Sequence, residues 1–267
     1  ANTTCILLGT GTSITQAAMR MLSQAGVLVG FCGGGGTPLF MGTEIEWMTP
    51  QSEYRPTEYV QGWLSWWWED GKRLQAAKHI QFARLAFLQN IWSRDKDFRQ
   101  MGFDSRSDAV TNLIERYRAD IPKQTEVMHL LQLEARMTKE LYKLASIHTD
   151  NAGFSREHDG MDKANSFLNH GNYLAYGLGA TTAWVLGIPH GFAVMHGKTR
   201  RGALVFDIAD IVKDAIVLPL AFICAKENAS EQEFRQECLN YFTTYKALDV
   251  MFDTVKDLAL KKDFETL

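Results

Sequence analysis

The sequence predicts a mainly α protein, with a small N-terminal β-rich domain followed by a larger all-helical domain. Three observations carry that prediction. Apolar residues recur at helical spacing almost without a break from about Thr57 to the end. Strand-like apolar runs are confined to residues 1–45. A polar stretch with Pro50 and Pro56 lies between the two regimes. The expected division is therefore 1–45 and 46–267, in a chain of 267 residues that is long enough for two modest domains.

The elements follow in order. Cys5–Leu8 reads as a short buried strand, and Ile14–Gln24 as a helix ending at Gly26, where a glycine suits a helix terminus. Val27–Phe31 reads as a second strand, leading into the glycines at 33–36. Residues 57–100 carry one long apolar periodicity that includes Trp63, Trp66, Trp67, Trp68 and Trp92; such an aromatic set is expected in the core. Two further helices are predicted over 105–119 and 124–147, then a loop over 150–162. Asn165–Leu186 reads as helical despite three glycines, Asp207–Ala225 as another helix, and 230–262 as an amphipathic segment.

Composition narrows the class without naming a function. With 46% hydrophobic and 22% charged residues the chain is of ordinary globular type. The formal net charge is -3, so any contact with nucleic acid has to come from local basic patches. Cys5, Cys32, Cys224 and Cys238 form no C-x-x-C pair, which argues against a disulfide framework or a structural zinc site and fits a cytoplasmic location. No run of eighteen apolar residues and no signal-like segment suggests a membrane. The chain opens on Ala1 rather than Met, so its natural start is expected to lie upstream.

Gly9-Thr10-Gly11-Thr12-Ser13-Ile14 sits between a strand and a helix, as a dinucleotide fingerprint would. Ile14 stands where the third small residue belongs, and no acidic residue ends the second strand. A structural turn is the better reading, with a nucleotide-binding oxidoreductase as a remote alternative. Glu134 is a different matter. Steps of three and four join Val127, Leu130, Glu134, Met137, Leu141 and Leu144 on one helical stripe. A carboxylate on an apolar stripe is paired, protonated or metal-bound, and an ion pair with a core arginine is the ordinary alternative.

The densest chemistry lies at 187–210. His196 is followed by Lys198, Arg200 and Arg201, then by Asp207 and Asp210. Asp207, Asp210 and Asp214 stand at i, i+3 and i+7 and share a helical face; the plain reading makes Asp207 a helix cap and leaves the other two solvated. Carboxylates with one imidazole favour Mn²⁺ and tolerate Mg²⁺, and neighbouring cations can hold phosphates. His190, between Pro189 and Gly191, has a turn role and ranks below His196 as a ligand.

The runs Gly171-Asn172-Tyr173-Leu174-Ala175-Tyr176-Gly177, Gly187-Ile188-Pro189-His190-Gly191, His196-Gly197-Lys198-Thr199-Arg200-Arg201-Gly202 and Leu204-Val205-Phe206-Asp207-Ile208-Ala209-Asp210 closely resemble the CRISPR adaptation integrase family, the Cas-one family, in its subtype I-F form. The resemblance covers nearly all of the chain. It implies a fuller β-domain, of which 1–45 matches the last part, and a helical catalytic domain. It implies that Glu134, His196 and Asp210 hold Mg²⁺ or Mn²⁺, with Asp207 as the second acidic residue and Lys198, Arg200 and Arg201 as DNA contacts. It further implies integration of short DNA fragments by 3′-hydroxyl transesterification, nuclease activity when water attacks, and a homodimer. The partner would be the small second adaptation protein, fused in this subtype to the helicase-nuclease. A non-catalytic DNA-binding assembly subunit is the alternative within the same family.

Overall fold

Parallel strands need a crossover, and the first thirty residues supply one. Strands β1 (Cys5–Leu8) and β2 (Leu28–Phe31) pair in parallel, with Cys5 opposite Leu28, through helix α1 (Gln16–Gln24). The computed structural model describes residues 3, 5–33, 46–48 (backbone only), 56–151, 153–157, 160, 162–196, 202–261 and 264. The glycine motif is a turn. Thr12 N–H donates to the Gly9 carbonyl at 3.2 Å, and Gly11 takes φ +80°, a conformation glycine adopts without strain. Thr15 then caps α1, its hydroxyl accepting from Ala18 N–H at 3.2 Å. A third strand, β3 (Glu46–Met48), runs antiparallel to β2, so the sheet extends past residue 45. β1 is half-buried where the sequence predicts a buried strand. The sheet's small apolar face meets the helices through Cys32, Ala180 and Val205, with Leu7 and Tyr176 beside them. All four cysteines are free thiols.

The long periodicity of 57–100 resolves into α2 (Glu58–Trp67), α3 (Asp70–Arg94) and α4 (Lys96–Gln100). Glu69 and Asp95 have extended backbone at the two breaks, and Asp95 caps α4 by accepting from Phe98 N–H at 2.8 Å. Periodicity alone does not show interruptions of one or two residues, because apolar residues continue on both sides of them. Trp63, Trp66 and Trp92 are buried as predicted, and Trp67 is partly so. Trp68 departs from the core reading: it ends α2 and is 70% exposed.

Next come α5 (Asp108–Asp120), α6 (Val127–His148), α7 (Lys163–Val185) and α8 (Ala203–Lys226). The amphipathic tail divides into α9 (Glu231–Thr244) and α10 (Ala247–Ala259) at Lys246, which has φ +51°. Ser230 and Glu233 form a reciprocal capping box that starts α9.

Helix α8 is the axis of the helical body, contacting α3, α6, α7, α9 and α10. The glycines of α7 explain how it lies so close. A Cβ at Gly171 would stand 2.3 Å from Val217 Cγ1, and one at Gly179 would stand 2.8 Å from the Val205 carbonyl oxygen. Pro219 lies inside α8 and has no N–H for the carbonyl four residues back. Trp92 supplies the missing donor, its Nε1 lying 3.0 Å from the Ala215 carbonyl. Among the described residues, no helix is long and apolar enough to cross a membrane.

Candidate metal centre

Three aspartates on one face of a core helix present a charge problem that the neighbouring elements must solve. Asp207, Asp210 and Asp214 are all buried, so neither the solvated reading nor the helix-cap reading holds. The N-cap of α8 is Gly202 in a left-handed conformation, and Asp207 lies beyond it inside the first turns.

Asp207 turns inward instead and gathers the segment 194–196. Its Oδ2 accepts from Val194 N–H at 2.7 Å and Met195 N–H at 3.1 Å. Its Oδ1 accepts from His196 N–H at 3.0 Å and lies 2.7 Å from His196 Nδ1. Both oxygens are thus occupied, which makes Asp207 an orienting group that fixes the imidazole rather than a free ligand. With Nδ1 engaged, the other ring nitrogen, Nε2, faces Asp210 at 3.8 Å.

The tryptophans brace the same loop from outside. Trp63 Nε1 donates to the Phe192 carbonyl at 3.0 Å, and Trp67 Nε1 to the Ala193 carbonyl at 2.8 Å. Gln81 reaches Met195 Sδ at 3.4 Å. His196 is consequently held from two sides while 16% of its side chain remains open to solvent.

Glu134 and Asp214 meet at a buried arginine. Arg84 on α3 has no exposed side-chain surface; its Nη1 lies 2.9 Å from Glu134 Oε1, and its Nε lies 2.7 Å from Asp214 Oδ2. A second contact from Nη2 reaches the same Asp214 oxygen, and Nη2 also donates to Thr138 at 2.9 Å. The core-arginine reading of Glu134 is therefore realised at Oε1. Glu134 keeps 13% of its side chain exposed, and Oε2 has no hydrogen bond among the described residues.

Asp210 is the unfinished member. It is wholly buried, yet neither carboxylate oxygen has a hydrogen bond of normal geometry among the described residues. Its nearest compensation is Lys213, one turn on, whose ammonium makes an ion pair with Oδ1.

The titration directions follow from this arrangement. Burial alone would lift the Glu134 carboxyl, but the charges of Arg84 and Lys213, the Arg84 hydrogen bond and the His196 charge hold it below its ordinary range. Burial alone would lower the His196 imidazole; the Asp207 hydrogen bond and the charges of Asp210 and Asp207 outweigh it and raise it. Burial pushes the Asp214 carboxyl up, with Arg84 opposing. Lys213 is held well above an ordinary lysine because Asp210, with Glu134 and Asp214, overcomes the cost of burial.

The residues suit a hard divalent cation in their chemistry. Oxygen donors with one imidazole are the right set for Mg²⁺ or Mn²⁺. Four carboxylates, Glu134, Asp207, Asp210 and Asp214, converge with two cationic side chains, Arg84 and Lys213. The orphaned oxygens of Asp210, beside an imidazole whose second nitrogen is already engaged, are where a cation would be best placed. Among the described residues, no three such side chains are drawn together closely enough to grip an ion as they stand.

Lys198, Arg200 and Arg201 lie outside the described residues. Sequence reasoning missed Arg84, Lys213 and the partnered role of Asp214. The available signal for Arg84 was an arginine within an apolar helical run, and for Lys213 its place one turn after Asp210.

The pattern of the family described as "CRISPR associated protein Cas1" matches residues 2–254. This chain belongs to the Cas1 family. The CRISPR-associated endonuclease Cas1 of Pseudomonas aeruginosa (strain UCBPP-PA14) is 55% identical over 265 residues, covering 97% of this chain and 82% of that protein. The fold of this Cas1-family chain is similar to that of a CAS1 protein from Thermotoga maritima, with a TM-score of 0.69 at 15% identity over 98% of this chain and 88% of that one. It is also similar to a casposase bound to an integration product, with a TM-score of 0.68 at 15% identity over 98% and 80% of the two chains. At those identities the likeness is one of fold.

Proposed function

We propose that this chain is a DNA endonuclease and integrase of CRISPR adaptation, of subtype I-F and dependent on Mg²⁺ or Mn²⁺. The observation that carries the reading is the buried Asp210 carboxylate, which among the described residues has no hydrogen bond of normal geometry and faces Nε2 of an imidazole whose Nδ1 is engaged by Asp207. In this reading Glu134, His196 and Asp210 hold the ion, and Asp207 sets the ring that presents Nε2. When bound, a divalent ion activates the attacking oxygen and stabilises charge on the scissile phosphate. Arg84 keeps Glu134 ionised and its Oε1 engaged, leaving Oε2 for the ion.

The reaction is transesterification. The 3′-hydroxyl oxygen of a short DNA fragment bonds to the phosphorus at the leader–repeat boundary. The bond from that phosphorus to the array strand's 3′-oxygen breaks, and the leaving oxygen ends protonated. Water in place of the hydroxyl gives strand cleavage. Lys198, Arg200 and Arg201 hold the double-stranded DNA backbone, and the helical region that follows the N-terminal sheet forms the catalytic domain. The working assembly is a homodimer with the small second adaptation protein, joined to the helicase-nuclease.

Support comes from family membership and from the chemistry of the donor set. Glu134→Ala and His196→Ala, assayed for fragment integration and strand cleavage in Mn²⁺, are each expected to lose roughly two orders of magnitude in rate, as removal of a ligand to a catalytic ion does. Unchanged turnover in either variant overturns the assignment.

A further inference from the structure

We propose that the Lys213 ammonium is a built-in counter-cation that occupies the divalent-ion position of the metal-free chain and is displaced when the ion binds. The inference rests on the metal reading above and concerns how the site is kept intact before an ion arrives.

Three observations support it. Asp210 is wholly buried and, among the described residues, lacks a hydrogen bond of normal geometry, so its charge needs compensation from another source. Lys213 makes that compensation directly through an ion pair at Oδ1. Lastly, no three ligand side chains close on a common point among the described residues, as expected where a monovalent cation takes the place of a divalent one.

The two cations differ in a way that makes exchange natural. An ammonium is a compact point charge with three donors on a flexible four-carbon stem, so it can leave without disturbing the helix that carries it. Lys213 retains 17% of its side-chain surface in contact with solvent, which gives the stem somewhere to go. Arg84 shows the contrast. Its guanidinium is wholly buried and held by five polar contacts to Glu134, Asp214, Gln81 and Thr138, so it is a fixture of the site whether or not an ion is present. A divalent ion bound to Asp210 while Lys213 remained would face a like charge at contact distance, which costs affinity.

Competition has a definite sign. If Lys213 must be displaced, removing its charge tightens metal binding; if it merely partners Asp210 structurally, removal leaves the affinity unchanged or weakens it. The test measures Mn²⁺ dissociation constants by the electron paramagnetic resonance signal of free Mn²⁺, with no DNA present, for the wild type, Lys213→Met and Lys213→Arg. Lys213→Met should bind Mn²⁺ at least tenfold more tightly than wild type, and Lys213→Arg should bind no more tightly than wild type. In parallel, the thermal midpoint of metal-free Lys213→Met should fall below wild type, and saturating Mn²⁺ should recover more of it than it adds to wild type.

Equal or weaker Mn²⁺ binding by folded Lys213→Met overturns the inference while leaving the metal reading in place. Absence of Mn²⁺ binding by the wild type and both variants overturns the metal reading and the inference together. Should Lys213→Met fail to fold, the crystal structure of the wild type with Mn²⁺ decides. An Nζ moved beyond 4 Å from Asp210 supports displacement, and an Nζ still in contact with a metal-bound Asp210 sinks it.

Discussion

On the α3–α6 side of the buried acidic cluster, every strong charge has a fixed partner: Arg84 contacts Glu134, Asp214, Gln81 and Thr138. On the α8–loop side, Asp207 is equally well supplied, by three backbone N–H groups and an imidazole, yet Asp210 one turn away has, among the described residues, the Lys213 ion pair and His196 Nε2 at 3.8 Å but no hydrogen bond of normal geometry. Both sides draw on the same helix and the same residue type. What separates them is the partner. A guanidinium and a row of backbone donors are permanent, whereas an ammonium on a free stem can be exchanged. The completed contacts build the frame, and the incomplete one marks the place left for chemistry.

The largest expected effect breaks the completed side. Arg84→Met leaves Asp214 and Glu134 without their hydrogen-bonded guanidinium partner, and should cost about 3–5 kcal/mol of unfolding free energy. Urea unfolding of the metal-free protein measures it; a loss below about 1 kcal/mol would mean that the Arg84 contacts are not what stabilises this side.

A smaller effect is expected at the hinge between the sides. Asp207→Asn removes the charge that accepts from Val194, Met195 and His196 and puts a donor where an acceptor stood. The stability cost should be about 1–3 kcal/mol. Mn²⁺ affinity should fall roughly 10- to 100-fold, because a ligand histidine loses its orienting partner. If stability falls and affinity does not, Asp207 supports the loop alone and has no part in presenting Nε2.

The smallest effect is a surface control built from the same chemistry as Arg84–Asp214. Arg106 forks onto Asp104 at 3.0 and 2.9 Å, and its hydrogen bond, with burial opposing, lowers the Asp104 carboxyl to about 2. A depressed carboxyl contributes stability above its unfolded pKa of about 3.9 and loses it as pH falls through the folded value. Between those two values wild type should lose slightly more stability than Asp104→Asn, with no difference between them near neutrality in the slope of stability against pH. A slope difference near pH 7 would contradict the lowered carboxyl.

How much of this was legible in the chain varies with the reach of each interaction. Helix α6 and the placement of Glu134 on its apolar stripe follow from spacing of three and four, which is a local property. The glycine motif was legible as a turn because Ile14 stands where a small residue is needed, and the Thr15 cap and Gly11 conformation agree with that. The breaks at Glu69, Asp95 and Lys246 were not, since an apolar pattern that continues on both sides conceals an interruption of one or two residues. Trp68 illustrates the same limit in composition: four neighbouring tryptophans read alike, but only the turn of α2 decides which of them faces out.

The sequence by itself determined the mainly α class, the early strand–helix–strand unit, the shared face of Asp207, Asp210 and Asp214 and the family resemblance. Each depends on residues near one another along the chain or on a run long enough to be specific. Tertiary structure alone decided the roles of those aspartates. Asp207 is engaged by a loop eleven to thirteen residues before it, Asp214 by an arginine 130 residues away, and Asp210 by little beyond its own helix. A buried charge takes its meaning from the partners that folding brings to it, and helix periodicity fixes only the direction in which it points.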